Sequence, residues 1–160
     1  MDRIAIRPAE AGDVELLDAA LRALSGDLGD THRATAACLA RAGFGETPAF
    51  RAQIALSGDA AVGVALYSPL YSTTRAMPGA YVSDLWVEEE MRGSGLGRKL
   101  LAAVRNDAAL QWGAGFIRLA VYADNPRAVA FYERIGFRTR TGEIGMLLEG
   151  EALERIGETA

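Results

Sequence analysis

The chain has 160 residues, a formal net charge of −4 and a hydrophobic content of 50%. This length predicts one domain over residues 1–160 with enough apolar side chains for a full core. An acidic chain lacks the basic surface that broad nucleic-acid binding requires, and its single Cys and single His cannot form a Cys/His zinc site. We therefore expect no nucleic-acid partner and no metal.

Nothing in the sequence predicts a membrane partner. The longest uninterrupted apolar run covers only residues 60–67, and a spanning helix needs about 20 apolar residues. The first residues, Met1 to Ile4, lead into an amphipathic segment and not into the apolar region of a signal peptide. These features predict a cytoplasmic protein.

The first half of the chain alternates between strand and helix patterns. A strand at 4–6 is followed by a helix that begins at Asp13 and is broken by Gly26 to Asp30, and a second helix follows at 31–42. Strands at 50–56 and 60–67 predict an antiparallel hairpin. A polar loop is predicted at 68–78, and a strand follows it at 80–87.

The second half carries the longest helix. Its predicted elements are a helix at 94–112, a strand at 116–122, a helix at 126–135 and strands at 137–140 and 144–148. This order predicts an α/β (α+β) fold, in which one mixed sheet carries helices on its faces.

A glycine-rich turn lies between the strand ending at Val87 and the helix starting near Ser94. Gly93, Gly95 and Gly97 remove the Cβ atoms that would keep a ligand from the backbone, and the helix adds unpaired N–H groups. The turn could bind a phosphate or pyrophosphate, or it could only change the chain direction. Its spacing fits neither a P-loop nor the dinucleotide-binding fingerprint.

The helix at 126–135 has clear end signals. Asn125 can cap its start, Pro126 suits the first turn and Gly136 can end it. Tyr132 lies on the apolar face of this helix, so the local pattern by itself predicts a core aromatic residue.

Together the two segments resemble the Gcn5-related N-acetyltransferase (GNAT) family. The motifs are Arg92-x-x-Gly95-x-Gly97 after a strand, then Asn125-x-x-Ala128-x-x-Phe131-Tyr132-x-x-x-Gly136-Phe137. The resemblance covers roughly residues 4–148. Tyr81 to Val87 and Met146 to Leu153 are similar to the diamine and polyamine N-acetyltransferase branch, which usually carries an acidic residue where this chain has Ser83.

The resemblance implies a mixed, mostly antiparallel sheet of six to seven strands with helices on both faces. It also implies a cleft where two central strands splay apart after a bulge. Acetyl-CoA would be the acetyl donor, with its pyrophosphate on the 93–98 turn and its pantetheine arm beside 85–87. The implied cofactor-binding residues are Leu85, Trp86, Val87, Arg92, Gly93, Ser94, Gly95, Leu96, Gly97, Arg98, Asn125 and Ala128.

The implied reaction is direct attack of a primary amine on the thioester. The acceptor would be a small molecule such as a diamine, polyamine or amino-acid derivative. Tyr132 would protonate the CoA thiolate, and a backbone N–H near 85–87 would polarise the carbonyl. The base stays open between Asp84, Glu88, Glu143 and a water chain ending at a backbone carbonyl. Expected substrate contacts are Ser83, Asp84 and Glu143.

Cys38 and His32 fall in one predicted helix, six residues apart and therefore on opposite faces, so a Cys–His nucleophile is not expected. A buried thiol and a surface imidazole are the better interpretation. The substrate pocket would be bounded by residues 24–35 and the loop 68–78. Four aromatic residues could line it or belong to the core: Tyr67, Tyr71, Tyr81 and Trp86.

Two further expectations concern the whole protein. The same fold could serve as a non-catalytic acetyl-CoA-binding sensor or interaction module, but intact Asn125 and Tyr132 favour an enzyme. Family members often dimerise through late strands, and the apolar residues within 142–153 predict a homodimer.

Overall fold

The computed structural model describes residues 3–158, which form two compact units; one extends to Ala120 and the other begins at Val121. The first unit contains strands β1 (Ala5–Pro8), β2 (Arg51–Ser57), β3 (Ala60–Ser72), β4 (Met77–Val87) and β5 (Ile117–Leu119). Its helices are α1 (Val14–Leu28), α2 (Ala36–Phe44) and α3 (Leu96–Trp112). The second unit contains α4 (Pro126–Ile135) and α5 (Gly150–Glu154).

The strands form one mixed sheet in the order β1-β2-β3-β4-β5. Strands β1 to β4 pair antiparallel with one another, whereas β5 pairs parallel with β4. The parallel pair needs a crossover connection, which α3 provides between β4 and β5. The predicted mixed, mostly antiparallel sheet is therefore confirmed.

The prediction of six to seven strands is wrong for residues 3–158, which contain five. The segments 137–140 and 144–148 are not strands. Ile144 and Met146 are 89% and 94% exposed, so their strand propensity is not reinforced by a neighbouring strand or a core. The predicted loop at 68–78 is also mostly strand, because β3 and β4 continue to Ser72 and from Met77.

Helices cover both faces of the sheet. On one face, Leu17 and Leu21 of α1 and Leu39 of α2 pack with Ile54 and Val64. On the other face, α3 approaches the sheet closely at a glycine. A Cβ built on Gly63 would lie 2.9 Å from the end of the Leu100 side chain, so a larger residue here would require that side chain to shift.

A buried polar network connects α3 to the sheet. Asp107 of α3 accepts two hydrogen bonds from the Arg51 guanidinium, at 2.6 and 2.9 Å, and one from the Tyr67 hydroxyl at 2.5 Å. Gln53 donates to the same hydroxyl at 2.8 Å. Burial would raise the pKa of Asp107, but the hydrogen bonds from Arg51 and Tyr67 outweigh it and lower that pKa.

The helix α4 has the predicted bounds. Gly136 follows it with a φ of +116°, a conformation that favours glycine, and its N–H bonds to carbonyls of the last turn. The short helix α5 was not among the predicted elements. Within residues 3–158, no helix combines the length and the apolar character needed to cross a membrane.

Candidate active site

A bulge interrupts β4 at Ser83. Leu66 of β3 pairs with Asp84 and Tyr67 pairs with Val82, so Ser83 is an extra residue with no opposite partner in β3. The Ser83 hydroxyl lies 3.3 Å from the Leu66 carbonyl oxygen and 2.9 Å from the Asp84 carboxylate. Bulges bend a strand and disrupt its pairing. The expected bulge in the strand before the glycine turn is thus present.

Beyond the bulge, β4 has an open backbone edge. Its pairing with β5 covers only Ala80–Val82, and within residues 3–158 the segment 84–87 pairs with β3 alone. Glu88 donates its N–H to the Val62 carbonyl of β3 at 3.0 Å. Because an antiparallel ladder alternates, the backbone groups of Leu85 and Val87 then point away from β3.

The neighbouring contacts agree with this direction. The Arg92 Nε donates to the Val87 carbonyl at 3.0 Å from outside the β3–β4 ladder. The N–H of Val87 and both backbone groups of Leu85 therefore face the open edge. An extended molecule could pair with them as an added strand would.

The glycine turn has the conformation that its sequence predicts. Gly93 and Gly95 have φ values of +80° and +84°, and a Cβ built on either would have nothing within 4 Å. Gly95 is the N-cap of α3 and has no side chain to cap the helix. The first helical bond runs from the Lys99 N–H to the Gly95 carbonyl, so the preceding N–H groups have no acceptor in the helix.

This turn is therefore suited to an anion. The N–H groups of Leu96 to Arg98 lie at the positive end of a 17-residue helix. The side chains of Arg98 and Lys99 are exposed beside them. Leu96 is instead buried, which leaves only its backbone N–H for binding.

Arg92 and Ser94 hold the turn in place. The Arg92 guanidinium contacts Asp27 of α1 at 2.5 Å as well as the Val87 carbonyl. The Ser94 hydroxyl donates to the Met91 carbonyl at 2.6 Å. Both were predicted as cofactor-binding residues, and their side chains bond to protein groups here, so the backbone of this segment is what a ligand would meet.

The second unit contains Asn125, which directly precedes α4, and Tyr132, which lies on α4. The Asn125 side chain caps the helix by accepting the Ala128 N–H at 3.1 Å. The Tyr132 ring makes edge contacts with Phe131 and Phe137, at centroid distances of 5.1 and 5.4 Å. Burial raises the pKa of Tyr132 to about 12. Within residues 3–158, its hydroxyl has no hydrogen-bond partner.

The candidate carboxylates differ in their surroundings. Burial raises the pKa of Asp84, and the Ser83 hydroxyl and His32 act in the opposite direction. Glu143 of the second unit accepts hydrogen bonds from Arg140 at 3.0 and 2.5 Å. Glu88 is half-buried, whereas Glu89 and Glu90 are exposed.

The prediction of a buried thiol at Cys38 and that of a surface imidazole at His32 are both wrong. Cys38 is exposed, whereas the His32 side chain is only 10% exposed and bonds to Asp18 and Ser25. The cause is the start of α2: Thr35 caps it by accepting the Cys38 N–H, so His32 lies in the preceding loop. The helical periodicity counted from residue 31 therefore did not apply.

The aromatic residues proposed for a pocket divide between core and surface. Tyr67 is fully buried in the network with Asp107, and Tyr71 is 64% exposed. Trp86 packs against the apolar cluster of α1 and α2. The pairing of Tyr67 with Asp107, 40 residues away, left no local signal in the sequence.

The comparisons with known proteins agree with the motifs. Residues 16–137 match the model of the acetyltransferase (GNAT) family. The chain is 32% identical to thialysine N-epsilon-acetyltransferase of Sus scrofa, over 98% of each chain. It is 30% identical to human spermidine/spermine N(1)-acetyltransferase-like protein 1, over 91% of this chain but 22% of that protein.

A solved structure gives the same result for the fold. An aminoglycoside N-acetyltransferase in complex with CoA superposes with a TM-score of 0.76 and 16% identity, covering 94% of this chain and 97% of that one. The named catalytic relatives favour an enzyme over a non-catalytic module. The chain therefore belongs to the acetyltransferase (GNAT) family and is an N-acetyltransferase.

Proposed function

We propose that this protein transfers the acetyl group of acetyl-CoA to a primary amine of a small cationic molecule, such as an amino acid with an amine side chain or a polyamine. The observation that carries the proposal is the end-to-end similarity to a thialysine N-epsilon-acetyltransferase. The open edge of β4 and the glycine turn support it, since both offer unpaired backbone groups in one unit.

The residues of the turn fit the diphosphate of acetyl-CoA. The space above Gly93 and Gly95 that a Cβ would enter admits a ligand to the N–H groups of residues 93–98. When bound, acetyl-CoA supplies an activated acetyl thioester. The backbone of Leu85 and Val87 would pair with the amides of its pantetheine arm, while Asn125 and Ala128 complete the proposed set of contacts.

Three proton movements balance the reaction. The acceptor ammonium loses one proton to a base, and the neutral amine nitrogen attacks the carbonyl carbon. The N–H of Leu85 or Val87 donates to the carbonyl oxygen as negative charge develops there. As the C–S bond breaks, Tyr132 donates its proton to the thiolate, and the proton that the new amide nitrogen releases returns through solvent to the Tyr132 oxygen.

Tyr132 is suited to act as an acid and not as a base. Its pKa of about 12 keeps the phenol protonated at neutral pH, and its hydroxyl is not committed to a protein acceptor within residues 3–158. Of the candidate bases, Asp84 fits best. Burial raises its pKa, and it follows the bulge directly, whereas Glu143 is already bonded to Arg140.

We also propose that the two units act as one domain and that the protein is a homodimer. The segment 142–156 exposes Ile144, Met146 and Leu147 in the single chain, and a second copy could cover them. Light scattering at micromolar concentration should give twice the 17.0 kDa chain mass.

A single thermal transition would support one domain, and two separate transitions would argue against it.

Thiol release from acetyl-CoA tests the proposed activity. The acceptor panel contains thialysine, lysine, ornithine, putrescine, spermidine, an aminoglycoside and a peptide with a free N-terminus. We expect release with at least one small cationic amine, and mass spectrometry should find one added acetyl group on the acceptor. Binding of acetyl-CoA without release for any amine would contradict the proposal and favour a binding module.

A further inference from the structure

Asp27 connects helix α1 to the glycine turn through Arg92. Its carboxylate lies 2.5 Å from a terminal nitrogen of the Arg92 guanidinium, although the two residues are 65 positions apart in the chain. The Nε of the same guanidinium donates to the Val87 carbonyl at 3.0 Å. One side chain therefore bonds to both α1 and the end of β4, and its own backbone directly precedes Gly93. The proposed reaction gives Asp27 no role.

The stability of α1 does not explain an acid at this position. Asp27 is the second-last residue of the helix, which ends at Leu28 and is followed by the cap residue Gly29. The C-terminal end of a helix carries the negative end of its dipole and favours cations over carboxylates. Asp is also among the weaker helix formers. The contact with Arg92 is therefore the favourable interaction that Asp27 makes here.

The ion pair also contributes little to the stability of the whole protein. The side chains of Arg92 and Asp27 are 36% and 46% exposed, and pairs so accessible to water are weak. The pair does fix the position of Arg92, because a planar guanidinium with two bonded nitrogens keeps few orientations. Through this side chain, the start of the glycine turn is held against the end of β4.

Both places that Arg92 joins belong to the proposed acetyl-CoA site. The open edge of β4 at Leu85 and Val87 would pair with the pantetheine arm, and the 93–98 turn would bind the diphosphate. One ligand must meet both, so their relative placement affects its affinity. A site that is already ordered before binding avoids the entropy cost of ordering it at binding.

We propose that Asp27 is a positioning residue of the acetyl-CoA site, which holds Arg92 so that the glycine turn and the edge of β4 are placed for one ligand. The inference rests on the proposed function for the identity of that ligand. It also has a sign that charge alone would not give. Direct interaction between the Asp27 carboxylate and a bound diphosphate is repulsive, so Asp27 can favour the anion only through Arg92.

Calorimetric titration with CoA tests the proposal without any turnover. Asp27→Ala removes the acceptor of the guanidinium together with one negative charge. We expect its Kd for CoA to be at least about threefold higher than that of wild type, because the turn is then less ordered before binding. Tighter binding would show that charge repulsion is the main effect of Asp27. Either tighter or unchanged binding would overturn the proposal.

Glu15→Ala is the matched control. Glu15 is an exposed carboxylate in the first turn of α1, about 18 Å along the helix from Asp27. This variant removes the same charge and should bind CoA as wild type does; the same rise in Kd would contradict the role of Asp27. Asp27→Ala should melt no lower than Glu15→Ala, since only Glu15 lies at the helix end that favours an acid. A lower melting temperature for Asp27→Ala would attribute its weaker binding to a loosened fold and overturn the proposal.

A double-mutant cycle shows whether Asp27 acts through Arg92. In an Arg92→Ala background, Asp27→Ala should no longer raise the Kd for CoA, because the side chain that Asp27 holds is absent. Independent contributions of the two residues would instead multiply their effects on the Kd. A Kd of the double variant equal to that product would contradict the proposed route.

The positioning role and the proposed function fail in different ways. If no amine of the panel causes thiol release, but Asp27→Ala weakens CoA binding only when Arg92 is present, the proposed function is wrong and the positioning role stands. If thiol is released while Asp27→Ala binds CoA at least as tightly as wild type, the function stands and the role of Asp27 is wrong.

Discussion

The buried Tyr67 and the half-buried Tyr132 show how differently two tyrosines with raised pKa values can be used. Burial raises the pKa of both phenols. The Tyr67 hydroxyl donates to Asp107 and accepts from Gln53, so all its bonding is inside the fold. The Tyr132 ring is packed between Phe131 and Phe137, but its hydroxyl has no partner within residues 3–158.

The hydrogen-bond partners of the hydroxyl distinguish a tyrosine that stabilises the fold from one that can act in catalysis. A hydroxyl that is satisfied by the protein fixes the core and cannot serve a substrate. A hydroxyl on a half-buried ring without a protein partner keeps its proton at neutral pH and can donate it. Burial and a raised pKa alone therefore do not identify a catalytic tyrosine; the hydrogen-bond partners do.

Replacing each tyrosine by phenylalanine should give opposite results. We expect Tyr132→Phe to lower kcat at least about tenfold with an unchanged Kd for acetyl-CoA, because one general acid is lost. Tyr67→Phe is the matched control and should keep its kcat while its melting temperature falls. Equal turnover in Tyr132→Phe and wild type would remove Tyr132 from the mechanism.

Removal of the Asp107 carboxylate should destabilise the network that holds the Tyr67 hydroxyl. Asp107→Ala leaves the buried Tyr67 hydroxyl and the Arg51 guanidinium without their acceptor, and we expect a loss of about 2 kcal/mol in the free energy of unfolding. Urea denaturation measures it. A loss below about 0.5 kcal/mol would show that the network contributes little to stability.

The lowered pKa of Asp107 makes the free energy of unfolding depend on pH. Because the folded pKa of Asp107 is lowered, its contribution is present above the unfolded value and is lost as the pH falls below about 4. Urea midpoints from pH 7 to pH 3 should therefore fall more steeply for wild type than for Asp107→Asn. Parallel curves would contradict this assignment.

The glycine turn can be tested with a matched pair of substitutions. Gly95 and Gly29 both have a positive φ, of +84° and +74°, and both have open space around a built Cβ. Gly95→Ala and Gly29→Ala should each destabilise the fold by about 1 kcal/mol through backbone strain. Only Gly95→Ala should raise the KM for acetyl-CoA, by about threefold or more. The same rise in both variants would attribute it to strain.

The smallest expected effect is an absence of change at alkaline pH. Since burial raises the pKa of Tyr132 to about 12, the phenol should remain protonated up to about pH 10. With saturating amine and a blank for acetyl-CoA hydrolysis, kcat should not fall between pH 8 and pH 10. A decline with a midpoint near pH 9 would contradict the assigned environment of Tyr132.

Local signals predicted much of this molecule. Asn125, Pro126 and Gly136 gave α4 its observed bounds, and alternate glycines gave the turn before α3. Both depend on capping and positive φ, which are properties of a few adjacent residues. The strands β1 to β4 were found from apolar runs and turn signals, which are also local, although β3 and β4 proved longer.

Features that depend on distant partners were not predictable. The segment 144–148 has the composition of a strand, but pairing and burial decide whether a strand forms. The contact of His32 with Asp18 joins residues 14 positions apart, and that of Tyr67 with Asp107 joins residues 40 apart. The roles of Tyr132 and Asp84 were proposed from a family resemblance, not from periodicity.

The central claim is that the backbone of the 93–98 turn binds the diphosphate of acetyl-CoA. Amide NMR of nitrogen-15-labelled protein tests it most directly, with CoA compared against pantetheine, which lacks the diphosphate. We expect saturable shifts of the Gly93, Gly95 and Gly97 amides with CoA and none of comparable size with pantetheine. Unmoved glycine amides at saturating CoA would contradict it.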